Sequence, residues 1–120
     1  MDIKGKNLLV IGGAGLIGSH AVDKLLEEDV GSVVVYDNFF RGSEENLQDA
    51  LNDPRVSIYE NGGDILQTDI LNSAMEGIDG VFHFAALWLL QCHEYPASAF
   101  DVNVRGTFNV MDACVKNNIS

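Results

Sequence analysis

At 120 residues the chain is long enough for one domain with a real core and too short for a second catalytic domain. Apolar residues make up 47% and charged residues 21%, a globular composition that excludes disorder as the default. Eighteen acids against seven bases give a net charge of −11, which leaves no basic stripe for nucleic acid or an anionic membrane.

Leu8 to Ile11 is a short apolar run stopped by glycines, and Leu16 to Glu28 follows with apolar residues at Ile17, Ala21, Val22, Leu25 and Leu26. The pattern predicts a strand, a tight turn and an amphipathic helix. Val33 to Tyr36 is β-branched and aromatic and ends at Asp37, which predicts a second buried parallel strand and hence a βαβ unit. Ser43 is placed to cap a helix carrying Asn46, Leu47, Ala50 and Leu51, with Asp53-Pro54 ending it before a third strand over Val56 to Tyr59. Thr68 is expected to cap a short helix through Met75, closed by Gly77.

Val81 to Ala86 is apolar on both faces apart from His83 and predicts a central fourth strand. Pro96 suits the start of a long helix bearing Ala99, Phe100, Val102, Val104, Phe108, Val110, Met111, Cys114 and Val115. Apolar positions over so much of the circumference call for packing on two sides. No repeat or flexible linker interrupts the alternation, so residues 1–120 read as one α/β domain of Rossmann type. Right-handed crossovers then give a parallel sheet in the order 3-2-1-4.

Cys92 and Cys114 are widely spaced and form no Cys-x-x-Cys pattern, which points to reduced thiols. The polar stretch Met1 to Lys6 leads into an apolar run too short for a signal sequence or a membrane span. The expected location is the cytoplasm. His83, Cys92 and His93 do not make a metal site, because two of them are adjacent and no fourth ligand is evident.

Gly12, Gly15 and Gly18 stand between the first strand and the first helix, and each has a separate steric task. The first permits the tight turn, the second lets a pyrophosphate approach the backbone, and the third lets helix pack on strand. Backbone N–H groups and a helix N-terminus can hold that pyrophosphate without lysine or arginine, so the acidic charge does not count against it. Asp37 follows Gly18 by nineteen residues, at the end of the second strand, where a carboxylate accepts from ribose hydroxyls and repels a 2′-phosphate. NAD is therefore favoured over NADP, with Arg41 nearby as a cation that could favour the latter. A nucleoside-triphosphate loop would need a Gly-Lys-Ser/Thr ending, and Gly18-Ser19-His20 has no lysine.

Ile11 to His20, Tyr36-Asp37-Asn38 and Gly63-Asp64-Ile65, with Val81 to Ala86 and the helix segment Asn103-Val104-Arg105-Gly106-Thr107-Phe108-Asn109, resemble the extended short-chain dehydrogenases/reductases. Within that superfamily the likeness is to NAD-dependent nucleotide-sugar epimerases and dehydratases of the UDP-glucose 4-epimerase type, over essentially the whole chain. The resemblance implies that Gly12, Gly15, Leu16, Ile17 and Gly18 meet the pyrophosphate, Asp37 and Asn38 the adenosine ribose, and Asp64 and Ile65 the adenine. It further implies that Ala85, Ala86 and Leu87 line the nicotinamide side and that Asn103 supports the active site from its helix. Two positions depart from the pattern: Ile11 stands where the family has threonine, and Trp88 where galactose epimerases commonly have lysine.

The family's hydride transfer between a sugar carbon and NAD needs a tyrosine acid/base and a lysine that lowers its pKa, four residues apart. Tyr36, Tyr59 and Tyr95 are followed at that distance by Phe40, Gly63 and Ala99. The expectation is an NAD-binding portion that stops before its fifth strand and its chemistry. Nucleotide sugar would then bind only if the missing part is supplied. The alternative is a stand-alone NAD-binding or sensing module. An open edge on the fourth strand, or the apolar last helix, is expected to mediate self-association.

Overall fold

Alternation inside an uninterrupted apolar run places β1 (Asn7–Ile11) at the centre of the molecule. Leu8 and Val10 enter the core on one face of the sheet and Leu9 and Ile11 the core on the other, all without solvent exposure. The computed structural model describes residues 2–119; Met1 and Ser120, the ends touched on above, lie outside the described residues. Parallel to β1 runs β2 (Ser32–Tyr36), in a register that sets Leu8 opposite Val33 and Ile11 opposite Tyr36. With β3 (Val56–Ile58) and β4 (Gly80–His83) the strands form a parallel sheet in the order β3-β2-β1-β4, the order expected from right-handed crossovers.

Helices cover both faces. α1 (Leu16–Leu26) lays Val22 and Leu25 on the face that also receives Val33, Val35, Leu47 and Ala50. On the opposite face α2 (Thr68–Ala74) contributes Leu71 and Ala74, and α5 (Thr107–Lys116) contributes Val110 and Ala113, around Tyr36, Ile65 and Met75. Full burial of each large aliphatic side chain contributes roughly 1.5–3 kcal/mol. Two further helices, α3 (Leu89–Glu94) and α4 (Pro96–Phe100), connect β4 to a π-helical segment, Asp101–Gly106, that runs into α5.

Several local readings of the sequence need correction. The helix expected after Ser43 is two 3-10 turns, Glu44–Leu47 and Ala50–Asn52, and Ser43 makes no side-chain cap bond. The buried pair Leu47 and Ala50 lies three residues apart, the period of a 3-10 turn, and the Asn46 amide is drawn away to the Ala14 carbonyl. Thr68 is the first residue of α2 and not its cap. α1 ends two residues before Glu28, and Lys24 pairs with Glu27 at its end.

β4 stops at His83, well short of Ala86; its apolar run reads as a central strand, but among the described residues it is the sheet edge that the order 3-2-1-4 and the open fourth-strand edge call for. After the Phe84 N–H bonds to the Ile11 carbonyl, the chain leaves the sheet and passes over Gly12, so Phe84 to Leu87 line a groove. The long last helix is three segments, and α3 ahead of it was not foreseen. It is packed on one side only: Phe100, Val104, Phe108, Met111 and Val115 are all more than half exposed. No helix among the described residues is long and apolar enough to cross a membrane.

Candidate functional site

The carboxyl ends of β1, β2 and β4 converge on the amino end of α1, the crevice in which open α/β sheets bind ligands. Gly12 turns the chain there with φ +78°, and an added Cβ would meet the Ala85 nitrogen at 2.6 Å. At Gly18 a Cβ would lie 2.1 Å from the Gly12 carbonyl oxygen, so only glycine lets α1 start so close to the turn. Gly15, the N-cap, is different. Its backbone is extended, and a Cβ would meet only the Gly12 oxygen, at 3.4 Å. A side chain at this position would point into the groove.

No side chain caps α1, and the first intrahelical bond is from Ser19 N–H to the Gly15 carbonyl. The preceding amides of Leu16, Ile17 and Gly18 are the donors a helix start leaves without an intrahelical acceptor. Leu16 and Ile17 are 75% and 69% exposed, so this positive end is open to an anion. These observations fit a dinucleotide pyrophosphate, which needs close backbone approach and free N–H groups.

The turn is tied from three directions. Gly12 N–H donates to the Tyr36 carbonyl, Asn46 Nδ2 and Ser43 N–H both donate to the Ala14 carbonyl, and Ala14 N–H donates to Asp37 Oδ2 at 2.9 Å. Asp37 Oδ1 accepts from Phe39 N–H at 2.8 Å. Asp37 thus serves the backbone of its own turn as well as facing the groove, and its carboxylate keeps further lone pairs for a ribose. Asn38 accepts from Phe40 N–H, which shapes the same loop.

Gly63 explains the approach of the next segment: its Cβ would fall 2.0 Å from the Asp37 carbonyl oxygen, so the two backbones touch. Asp64 accepts from Leu66 N–H through its side chain and from the Tyr36 hydroxyl through its carbonyl. Burial, with the Asp64 carboxylate beside it, pushes the Tyr36 phenol up to about 12 and keeps it a donor. Ile65 is buried against Gly106, where any Cβ would strike its side chain, and Asn109 Nδ2 holds its carbonyl.

Asn103 lies in the π-helical segment and is half-buried. Its Oδ1 accepts from Leu87 N–H at 2.7 Å and its Nδ2 donates to the Leu87 carbonyl at 2.9 Å. That two-pronged bond fixes the chain just past β4. Thr107 donates its one hydroxyl proton to the Asn103 carbonyl, so it accepts from His83 Nε2–H, a bond that the neutral imidazole protonated on Nε2 can make. Burial holds His83 below the usual histidine range and favours the same form.

One groove of about 480 Å³ is lined by every cofactor-binding residue named from the sequence, from Gly12 through Asp37, Asn38, Asp64 and Ile65 to Ala85, Ala86 and Leu87. Phe40, Phe84 and Val102, which sequence reasoning did not place there, also line it, together with Arg41 and Trp88, noted above as a cation near the ribose and as a departure from the family pattern. The Arg41 guanidinium lies over the Trp88 ring, 4.4 Å from its centroid. Nothing in local sequence signals that pairing, since the two come from loops after different strands. Asn103 stands behind the groove wall and acts on Leu87. Among the described residues no group of three His, Cys, Asp or Glu side chains is placed to hold a metal ion.

Residues 9–120 match the model of the 3-beta hydroxysteroid dehydrogenase/isomerase family. UDP-glucuronic acid decarboxylase 3 of Arabidopsis thaliana is 36% identical over 105 residues, which is 87% of this chain and 29% of that protein. The UDP-glucose 4-epimerase of Rickettsia felis is 33% identical over 119 residues, 96% of this chain and 34% of that one. Among solved structures, the dTDP-glucose 4,6-dehydratase DesIV of Streptomyces venezuelae, with NAD bound, superposes with a TM-score of 0.84. It is 32% identical, over 94% of this chain and 37% of its own. The chain spans about a third of the length of these relatives. With nearly its whole length matched, the chain belongs to the 3-beta hydroxysteroid dehydrogenase/isomerase family, and its relatives include nucleotide-sugar epimerases and dehydratases that carry NAD.

Proposed function

We propose that this chain is the NAD-binding portion of a cytoplasmic nucleotide-sugar epimerase or dehydratase. The observation that carries the reading is the groove itself: the uncapped start of α1, the Asp37 carboxylate and the small residues Ala85 and Ala86 face one space. In that space the Leu16 and Ile17 amides hold the pyrophosphate, Asp37 and Asn38 the adenosine ribose, and Asp64 and Ile65 the adenine. Ala85, Ala86 and Leu87 border the nicotinamide side, with Asn103 holding Leu87 in place. Bound NAD supplies hydride transfer; the residues here bind and orient it. Relatives named for UDP sugars favour a nucleotide sugar over a steroid as the substrate of the whole protein.

Calorimetric titration of the purified chain tests the site. NAD is expected to bind at least about tenfold more tightly than NADP, because the Asp37 carboxylate repels a 2′-phosphate. Asp37→Asn should weaken NAD about tenfold, the scale of a lost hydrogen bond to a charged group, and narrow the gap between the two cofactors. Equal binding of NAD by both forms would refute the ribose assignment.

The same reading includes self-association. β4 offers an unpaired edge among the described residues, and the exposed apolar row on the last helix offers a second surface. Sedimentation at rising concentration is expected to show dimers or larger species, and Phe108→Asp should reduce them if the helix is the route. Strictly monomeric behaviour at high concentration would count against both surfaces.

A further inference from the structure

The cations of this chain are few, and their placement is informative. Lys4, Lys24, Arg55, Arg105 and Lys116 each lie within ion-pair distance of a carboxylate. Among the described residues Arg41 and Lys6 do not, although acids outnumber bases by 18 to 7. Lys6 precedes β1, at the end of the sheet away from the groove. Arg41 lines the groove and, among the described residues, is the one lysine or arginine that does so.

Its position follows from topology. Arg41 belongs to the loop after β2 and Trp88 to the chain after β4, and β1 lies between those strands. A contact that joins the two loops must therefore span the end of β1, above the glycine turn. Both bases are anchored: Gly42 packs against Ala14, where a Cβ would fall 2.7 Å from the alanine Cβ, and Leu87 is gripped by Asn103. A dinucleotide in a doubly wound sheet runs in the same direction, from the β2 side to the β4 side across that turn.

We propose that Arg41, held over the ring of Trp88, is a cofactor-positioning residue that supplies a side-chain cation of the groove to the diphosphate of a bound dinucleotide. The guanidinium carbon lies 4.4 Å from the Trp88 ring centroid, and among the described residues no hydrogen bond engages its N–H donors, which leaves them for bidentate bonding to phosphate oxygens. The α1 amides meet the diphosphate from below, and Arg41 meets it from the mouth of the groove. Its charge also offsets the Asp37 and Asp64 carboxylates nearby, which alone would oppose an anion. The inference rests on the dinucleotide reading of the groove.

Trp88 is the only tryptophan in the chain, so its emission reports directly on the clasp. Titrations with NAD, ADP-ribose and adenosine, followed by that emission and by calorimetry at low and high salt, distinguish the outcomes. For the wild type, NAD and ADP-ribose should change Trp88 emission and bind more weakly as salt rises. Arg41→Gln should weaken both about tenfold and flatten their salt dependence, with adenosine unaffected because it carries no phosphate. Arg41→Lys should restore the salt dependence and only part of the affinity, and Trp88→Leu should weaken NAD severalfold with Arg41 intact. Unchanged NAD affinity and salt dependence in Arg41→Gln would overturn the role of Arg41 and leave the dinucleotide reading standing. Absence of NAD binding to the wild type would overturn both.

Discussion

Gly12→Ala is expected to cost the fold about 2–5 kcal/mol, a large part of the roughly 5–15 kcal/mol that holds a domain of this size. Two penalties add. An alanine at φ +78° pays about 1–2 kcal/mol for the left-handed conformation. Its Cβ also meets backbone on the far side of the groove floor, the Ala85 nitrogen at 2.6 Å and the Phe84 carbonyl carbon at 2.9 Å. Backbone cannot swing aside as a side-chain tip can, so the chain after β4 must shift, for roughly another 1–3 kcal/mol. Urea unfolding should register the loss, and the melting temperature should fall by roughly 10–20 °C. Gly77→Ala is the internal control: φ is +73° there and nothing lies within 4 Å of a Cβ, so only the first penalty applies. Equal losses in the two variants would show that the contact with Ala85 is not what makes Gly12 necessary.

Three residues on, Gly15→Ser is expected to do the reverse, with stability kept or slightly raised and NAD binding weakened about thirtyfold. Gly15 is the N-cap of α1 with φ −76° and ψ 176°, a backbone that serine adopts readily and in which it is a preferred cap. Its hydroxyl would accept from the amides at the start of α1, the same donors proposed for the pyrophosphate. The Cβ meets no neighbour nearer than 3.4 Å, so the side chain stands in the groove where the phosphates would lie. Occupied donors and occupied space together remove about 2 kcal/mol of binding, the scale of one or two charge-assisted hydrogen bonds. Thermal melts beside NAD titrations measure both effects at once. A serine variant that binds NAD as tightly as the wild type would remove the phosphate role from this turn.

The contrast between these glycines marks how far local sequence carries. Spacing alone named the three positions and their tasks, since each task is a statement about bare backbone. Which of them guards the fold and which guards the ligand depends on what stands opposite: Ala85 for Gly12, the turn's own carbonyl for Gly18, open groove for Gly15. Asp37 is a second case. Its place at the end of β2 was legible, but its bonds to Ala14 and Phe39 amides tie a conformational task to the proposed ribose contact. Substitutions there must be read with both in view.

The elements that sequence misjudged share a cause. The stretch after Ser43 has helix-forming residues, yet it folds as two short 3-10 turns, and the Asn46 side chain in the first bonds across to the Ala14 carbonyl. Val81 to Ala86 is apolar apart from His83, yet the strand ends at His83 because the next residues pack over Gly12. The π-helical segment around Asn103 has no sequence signature here. It goes with the paired bonds of the Asn103 amide to Leu87 and with the Thr107 hydroxyl on the Asn103 carbonyl.

Apart from the groove residues named through the family resemblance, the sequence by itself determined the parallel α/β alternation, the strand order and the glycine turn. Those follow from period, glycine placement and the handedness of crossovers, all of which act between near neighbours in the chain. Tertiary structure alone decided where β4 ends, the grip of Asn103 on Leu87 and the placing of Arg41 over Trp88. Each of these joins segments from different strands or helices. Such contacts depend on how the sheet stacks its elements in space, which no local pattern of residues encodes.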